Sequence, residues 1–282
     1  MLGLDRRGLS ALDERAPPRR LSRRLSRRAW FALAALVAFS ARADLPALIA
    51  AARPSVLPVG SYSALSSPRF SFRGSGFVVE GGTLLVTNAH VLPDSAADPP
   101  PQLAVLAPNA DGGRDVRVAT LLTLDRVHDL ALLRLEGAPL PALPLAEAGA
   151  AHEGMDVALM GFPLGGVLGY SMVTHRGIVS SITRIALPSP TSRQLAPRAI
   201  SQLREGVFEV YQLDATAYPG NSGGPLLDAR SGQVVGIVNM VLVKGTRESA
   251  LTNPTGITYA IPVRFVRELL NPRGAQGGAA GP

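Results

Sequence analysis

Tyr218-Pro219-Gly220-Asn221-Ser222-Gly223-Gly224-Pro225 (YPGNSGGP) sets one serine in a run dominated by glycine and proline. Such a run does not continue a helix or a central strand, because glycine weakens both and proline lacks an amide to donate. By itself the stretch supports two readings. Its G-x-S-x-G spacing fits a sharp turn that exposes a nucleophilic serine, and it fits equally a Gly-Ser loop without chemistry. The rest of the chain separates them.

A serine hydroxyl attacks only when a base takes its proton, and the usual base is a histidine oriented by a carboxylate. The chain has four histidines, His90, His128, His152 and His175, and all precede Ser222. The α/β-hydrolase elbow needs its histidine after the serine, so that reading fails. The order His, Asp, Ser remains. His90 sits at the end of the β-like run Leu84–Leu92 (LLVTNAHVL), and Asp129 opens another in His128–Leu133 (HDLALL). Asp125 is a weaker rival to Asp129, because Arg126 and the preceding Thr-Leu suggest a turn. His128 adjoins Asp129, but neighbouring strand residues face opposite sides, which directs it to solvent or a barrel rim. His152 and His175 lack the spacing of a metal site and read as surface or core residues. With no cysteine in the chain, neither a disulfide framework nor a thiolate site is available, and no metal or cofactor is expected.

The charge is concentrated at one end. Residues 1–43 hold ten arginines and three acids, which accounts for the whole formal charge of +7 and leaves 18 basic and 18 acidic residues elsewhere. The body of the chain therefore lacks the basic footprint of a nucleic-acid binder. The Arg-rich start is followed by the apolar run Ala29–Phe39 and by Ala41-Arg42-Ala43. About a dozen apolar residues cannot cross a hydrocarbon core that takes ~20 as a helix. The order reads as an export signal peptide over 1–43, cleaved before Asp44, with no stable membrane insertion afterwards. Ser26-Arg27-Arg28-Ala29-Trp30-Phe31 is similar to a twin-arginine signal, and an Arg-rich Sec signal is the alternative. Export to the periplasm is the expected localisation.

Residues 44–70, rich in Ala, Pro and Ser, suggest an extended lead-in segment. Beyond them, short runs rich in Val, Ile, Leu and Thr recur between turn residues: 76–79, 83–87, 103–106, 116–122, 130–135, 156–160, 207–213, 234–243 and 256–261. The pattern indicates an all-β barrel or sandwich, not βαβ units. Pro139–Pro144 (PLPALP) divides the region nearly in half as a crossover. Val263–Leu270 (VRFVRELL), between Pro262 and Asn271-Pro272, reads as a short terminal helix. Residues 271–282 read as a disordered tail.

The three boxes NAHV, HDLALL and PGNSGGP resemble those of chymotrypsin-fold serine peptidases, and specifically the HtrA/Deg branch, which typically shows TNxHV, DLAxL and PGNSGGP. Gly177-Ile178-Val179-Ser180-Ser181 and Gly256–Pro262 (GITYAIP) are similar to further stretches of that branch, so the likeness covers roughly residues 70–270. It implies two six-stranded antiparallel β-barrels, about 71–138 and 145–262 within a peptidase domain over 71–270, with a catalytic cleft between them. Carried over, Ser222 is the nucleophile, His90 the base and Asp129 its orienting acid, with the amides of Gly220 and Ser222 as the oxyanion hole. The resemblance implies polypeptide substrates and a possible homotrimer. Better-known members carry PDZ domains after the peptidase, and a single peptidase domain without one is expected here.

In that fold the residue six before the nucleophile lies at the base of the specificity pocket. Here it is Thr216, not an acid, which argues against cleavage after Arg or Lys. Asn239, Met240 and Val241 would line another wall, giving a modest apolar pocket for small or medium aliphatic residues. Pro188–Glu205 falls where the branch keeps a sensor loop and is a candidate activation loop. Two other function classes share these residues: a non-catalytic binder or chaperone of peptidase fold, and a general esterase.

Overall fold

The computed structural model describes residues 44–93, 101–186, 207–239 and 257–271. The leader, the candidate loop Pro188–Glu205, pocket residues Met240 and Val241, and all but Asn271 of the tail lie outside them. The described strands close into two six-stranded barrels. The first comprises β1 (Val56–Tyr62), β2 (Phe70–Val79), β3 (Leu84–Asn88), β4 (Gln102–Pro108), β5 (Arg114–Asp125) and β6 (Leu130–Leu135), in the spatial order β1-β2-β3-β6-β5-β4. The second comprises β7 (Asp156–Gly161), β8 (Val173–Ala186), β9 (Val207–Asp214), β10 (Pro225–Asp228), β11 (Val234–Asn239) and β12 (Ile257–Pro262), in the order β10-β11-β12-β9-β8-β7. Every ladder between these strands is antiparallel; the first barrel closes through Val59↔Val105 and the second through Leu226↔Leu159.

The extended lead-in expected over 44–70 is corrected. Leu45–Ala52 is helix α1, with proline in its first turn, where a missing amide costs no intrahelical bond. Val56–Tyr62 is β1, a full member of the first barrel, with Val56, Leu57 and Val59 completely buried. That barrel therefore begins some fifteen residues before the expected boundary near 71. Pro58 inside the run obscured the strand, since proline normally argues against a paired position. Two other strands escaped local reading: β10 is four residues long and starts with Pro225, and β8 carries Thr174, His175 and Arg176 in succession.

Apolar alternation explains how the halves fit. Leu57, Val59, Val78, Leu85, Ala131, Leu133 and Leu135 fill the interior of the first barrel. Their strand neighbours Val56, Phe77, Val79, Val86, Leu130 and Leu132 belong instead to the cluster that includes the second barrel's interior, among it Leu159, Met160, Leu213, Leu226 and Ile237. Strands β2, β3 and β6 are thus buried on both faces. That is why Phe77–Val79, Leu84–Val86 and Leu130–Leu133 read as continuous apolar runs, a pattern set by two-sided burial. At roughly 25 cal/mol per Å² of apolar area, this shared seam is a main source of inter-barrel cohesion.

Helix α2 (Val263–Leu270) has the bounds expected from its sequence. Its Val263, Phe265, Val266 and Leu269 are buried. Arg267 donates from Nε to Ala146 O (2.8 Å) and from Nη2 to Leu145 O (3.1 Å), which ties the segment between β6 and β7 to the helix. Arg264 donates to Glu209 Oε2 at 2.7 Å.

The position of β1 makes a direct prediction. A chain starting at Asp44 should melt cooperatively by circular dichroism. One starting at Ser63 leaves the facing edges of β2 and β4 unpaired and should show no cooperative transition.

Candidate active site

The end of β3 and the start of β6 meet in a backbone-controlled corner. Ala89 N and Asn88 Nδ2 both donate to Asp129 O at 3.0 Å. Asp129 itself has φ +53°, a left-handed conformation uncommon for a residue with a side chain. The turn before it sets that geometry. Asp125 Oδ1 accepts from Val127 N and His128 N, each at 3.0 Å, and Asp125 Oδ2 accepts from His128 Nδ1 at 2.6 Å. The His128 ring stacks on Phe265 of α2 with centroids 3.7 Å apart, and lies edge-on to Phe208 of β9 at 4.7 Å. The Asp125 and His128 flanking Asp129 therefore anchor the turn and point away from the cleft residue.

The Asp129 carboxylate then collects donors from both barrels. Oδ1 accepts from His90 N at 2.9 Å, and Oδ2 accepts from His90 Nδ1 at 2.6 Å. Oδ2 also accepts from Asn239 Nδ2 at 2.8 Å, across from β11. Because a carboxylate only accepts, Nδ1 of His90 carries its proton toward Asp129, and Nε2 is left as the accepting face of the ring. The imidazole keeps 27% of its side-chain surface exposed, whereas Asp129 keeps 13%. The Asn239 side chain, expected in a pocket wall, is fully buried and directed at Asp129. Thr216 is partly exposed between the buried Ala215 and Ala217.

Ser222 approaches from the second barrel. Ser75 N in β2 donates to Ser222 O at 2.8 Å. A Cβ placed on the neighbouring Gly74 would come within 2.6 Å of Val91 and 2.9 Å of Ser222 O, so the serine and the residue after His90 flank one glycine. Gly223 has φ +83°, and a side chain there would strike the Ser75 carbonyl and the Thr87 hydroxyl. The loop lies on the end of β3 only because that position is glycine. No hydrogen bond joins Ser222 Oγ to His90 among the described residues.

The loop's amides divide into two groups. Asn221 N donates to Tyr218 O (3.0 Å), Gly223 N to Val238 O (2.9 Å) and Gly224 N to Asn221 O (2.9 Å). The N–H groups of Tyr218, Gly220 and Ser222 have no acceptor among the described residues. Buried amides almost always have partners, so those of the buried Gly220 and Ser222 are available to donate to an incoming oxygen.

The remaining histidines lie elsewhere. His152 is exposed, with Nδ1 3.1 Å from Glu153 O. His175 packs beside Tyr218 at 5.8 Å, and burial lowers its pKa.

The family model for the trypsin-like peptidase domain matches residues 74–237. The chain is 33% identical over 199 residues to the mitochondrial serine protease HTRA2 of Bos taurus, covering 70% of this chain and 35% of that one. It is 32% identical over 198 residues to a probable periplasmic serine endoprotease, DegP-like, of Pseudomonas fluorescens, covering 70% and 34%. The chain thus spans about a third of the length of these curated relatives. Among solved structures, the HtrA-type protease AlgW with a decapeptide superposes with a TM-score of 0.57 at 24% identity, over 83% of this chain and 69% of that one.

The Asp125 turn carries a pH signature. Burial pushes the Asp125 carboxyl up, but the bonds from the His128 ring and amide and the Val127 amide outweigh it and hold its pKa below 3.8. A depressed folded pKa stabilises above the unfolded value of about 3.9, and that contribution disappears as pH falls through the folded value. Asp125→Asn should therefore be less stable than wild type at pH 7, with the gap in urea midpoint closing below about pH 4. A gap independent of pH would contradict the assignment.

Proposed function

The chain belongs to the trypsin-like peptidase domain family, and from that membership we propose that it is a serine endopeptidase acting through Ser222, His90 and Asp129. One observation carries the reading. Among the described residues the amides of Gly220 and Ser222, on either side of Asn221, have no acceptor, and the Nδ1 of His90 is committed to the Asp129 carboxylate. His90 Nε2 takes the Ser222 proton as the hydroxyl attacks a peptide carbonyl, and Asp129 steadies the resulting imidazolium. The tetrahedral oxyanion is received by the Gly220 and Ser222 amides, each such donor being worth about 3 kcal/mol in comparable sites. His90 returns the proton to the leaving amine, and water releases the acyl group by the same steps.

The substrates we propose are exported or unfolded polypeptides. The Arg-rich leader with its short apolar run and Ala-Arg-Ala supports export to the periplasm. Thr216 at the pocket base supports cleavage after small or medium aliphatic residues.

Asn239 enters this reading as a positioning residue. Its bond to Asp129 Oδ2 is charge-assisted, a class worth about 1.5–3 kcal/mol. Asn239→Ala should lower kcat by about tenfold to a hundredfold with KM little changed.

Labelling by a fluorophosphonate, mapped by mass spectrometry, is expected at Ser222 and absent from Ser222→Ala. Wild type should digest an unfolded protein such as casein, with new termini mostly after aliphatic residues. Predominant cuts after Arg or Lys would overturn the pocket. If neither wild type nor Ser222→Ala cuts casein and both suppress aggregation, the chain is a binding protein and the peptidase reading is wrong.

A further inference from the structure

Gly220 supplies half of the proposed oxyanion donor pair, yet it is the residue least able to hold its own orientation. Its φ is +107°, in a region that belongs to glycine, and glycine moves among backbone conformations more freely than any other residue. Two bonds restrain the peptides on either side. Leu164 N, at the start of the β7–β8 connection, donates to Pro219 O at 3.0 Å. Because C=O and N–H of a trans peptide point oppositely, this bond aims the Gly220 N–H away from Leu164. On the other side, Ser75 Oγ donates to Gly220 O at 2.7 Å.

Ser75 belongs to β2 of the first barrel and is completely buried. Every hydrogen-bonding group it has is engaged around this loop. Its hydroxyl oxygen accepts from Phe162 N at 3.0 Å, its amide donates to Ser222 O at 2.8 Å, and its carbonyl accepts from Thr87 Oγ1 at 2.7 Å. Asn221, the neighbouring side chain, makes none of these bonds; both its polar side-chain atoms are buried without a partner among the described residues. Among the described residues, the Ser75 hydroxyl is the side-chain group that holds the Gly220 carbonyl.

From this geometry we infer that Ser75 is a positioning residue for the oxyanion donor at Gly220. The inference rests on the peptidase reading above. Removing the hydroxyl leaves the Ser75 N–H to Ser222 O bond in place, since that bond is backbone to backbone. It releases Gly220 O and Phe162 N together. The loss therefore falls on the transition state, where the Gly220 N–H must meet the oxyanion, and not on ground-state binding.

The test compares wild type, Ser75→Ala and Val105→Ala, the last a cavity in the first barrel's interior remote from the loop. Active sites are counted by fluorophosphonate labelling carried to its end point. Rates are then expressed per titrated site on a peptide substrate, and a peptide aldehyde provides a transition-state analogue. Ser75→Ala should lose about tenfold to a hundredfold in kcat per site, a fraction of what deleting an oxyanion donor costs. KM should stay within about threefold, and aldehyde affinity should weaken in parallel with kcat/KM. Val105→Ala should lower the melting temperature while keeping kcat per site. If Ser75→Ala matches wild type per titrated site, the inference is overturned. If Ser75→Ala does not fold, Ser75→Thr, which keeps the hydroxyl, should exceed Ser75→Cys in kcat per site, and the reverse order would overturn it. A wild type that takes no label at Ser222 refutes the peptidase reading, and the role of Ser75 with it.

Discussion

The Asp129 carboxylate is the point on which the two halves of the molecule converge. It accepts from the His90 amide and ring, which belong to the first barrel, and from Asn239, which belongs to the second. No single barrel supplies this set of donors. The carboxylate is presented by a residue in a left-handed conformation, and such a conformation persists only when its surroundings over-determine it. Here the surroundings do so from three sides. The Asp125 turn lies behind it, Asn88 and Ala89 grip its carbonyl, and His128 is packed on Phe265 of the terminal helix.

Rigidity at that point depends on the hydrophobic seam. Strands β2, β3 and β6 bury one set of side chains in their own barrel and the alternate set against the neighbouring one. The polar residues of the site lie in or next to these strands: Ser75 within β2, Asn88 closing β3 with His90 just beyond it, and Asp129 just before β6. A sideways shift of one barrel would move Ser222 relative to His90 and break the Ser75 bonds to Gly220 and Ser222 together. Close packing resists such shifts because interiors have few voids to accommodate them.

Local sequence was informative wherever burial pattern and strand identity coincided. The runs at 130–135 and 156–160 carry apolar residues at nearly every position and correspond to β6 and β7. It was uninformative where proline, short length or surface charge masked a paired strand, as in β1, β10 and β8. Asn239 shows the same limit at the site. The sequence placed it in a pocket wall with Met240 and Val241, whereas its side chain donates to Asp129, a partner 110 residues away. Ser75 lies between Gly74 and Gly76 in a strand, and nothing local distinguishes its hydroxyl from a surface one.

The sequence alone singled out YPGNSGGP as the candidate nucleophile loop, in the order His, Asp, Ser. Every histidine precedes Ser222, His90 closes one apolar run and Asp129 opens another. Chain order and strand pattern are one-dimensional properties, so both are readable without coordinates. Only the tertiary structure decided which side chains hold that nucleophile loop in place. Ser75 and Asn239 act across separations of 145 and 110 residues, and long-range hydrogen bonds leave no periodic trace in the chain. The closing of two barrels against each other is what brings them within reach.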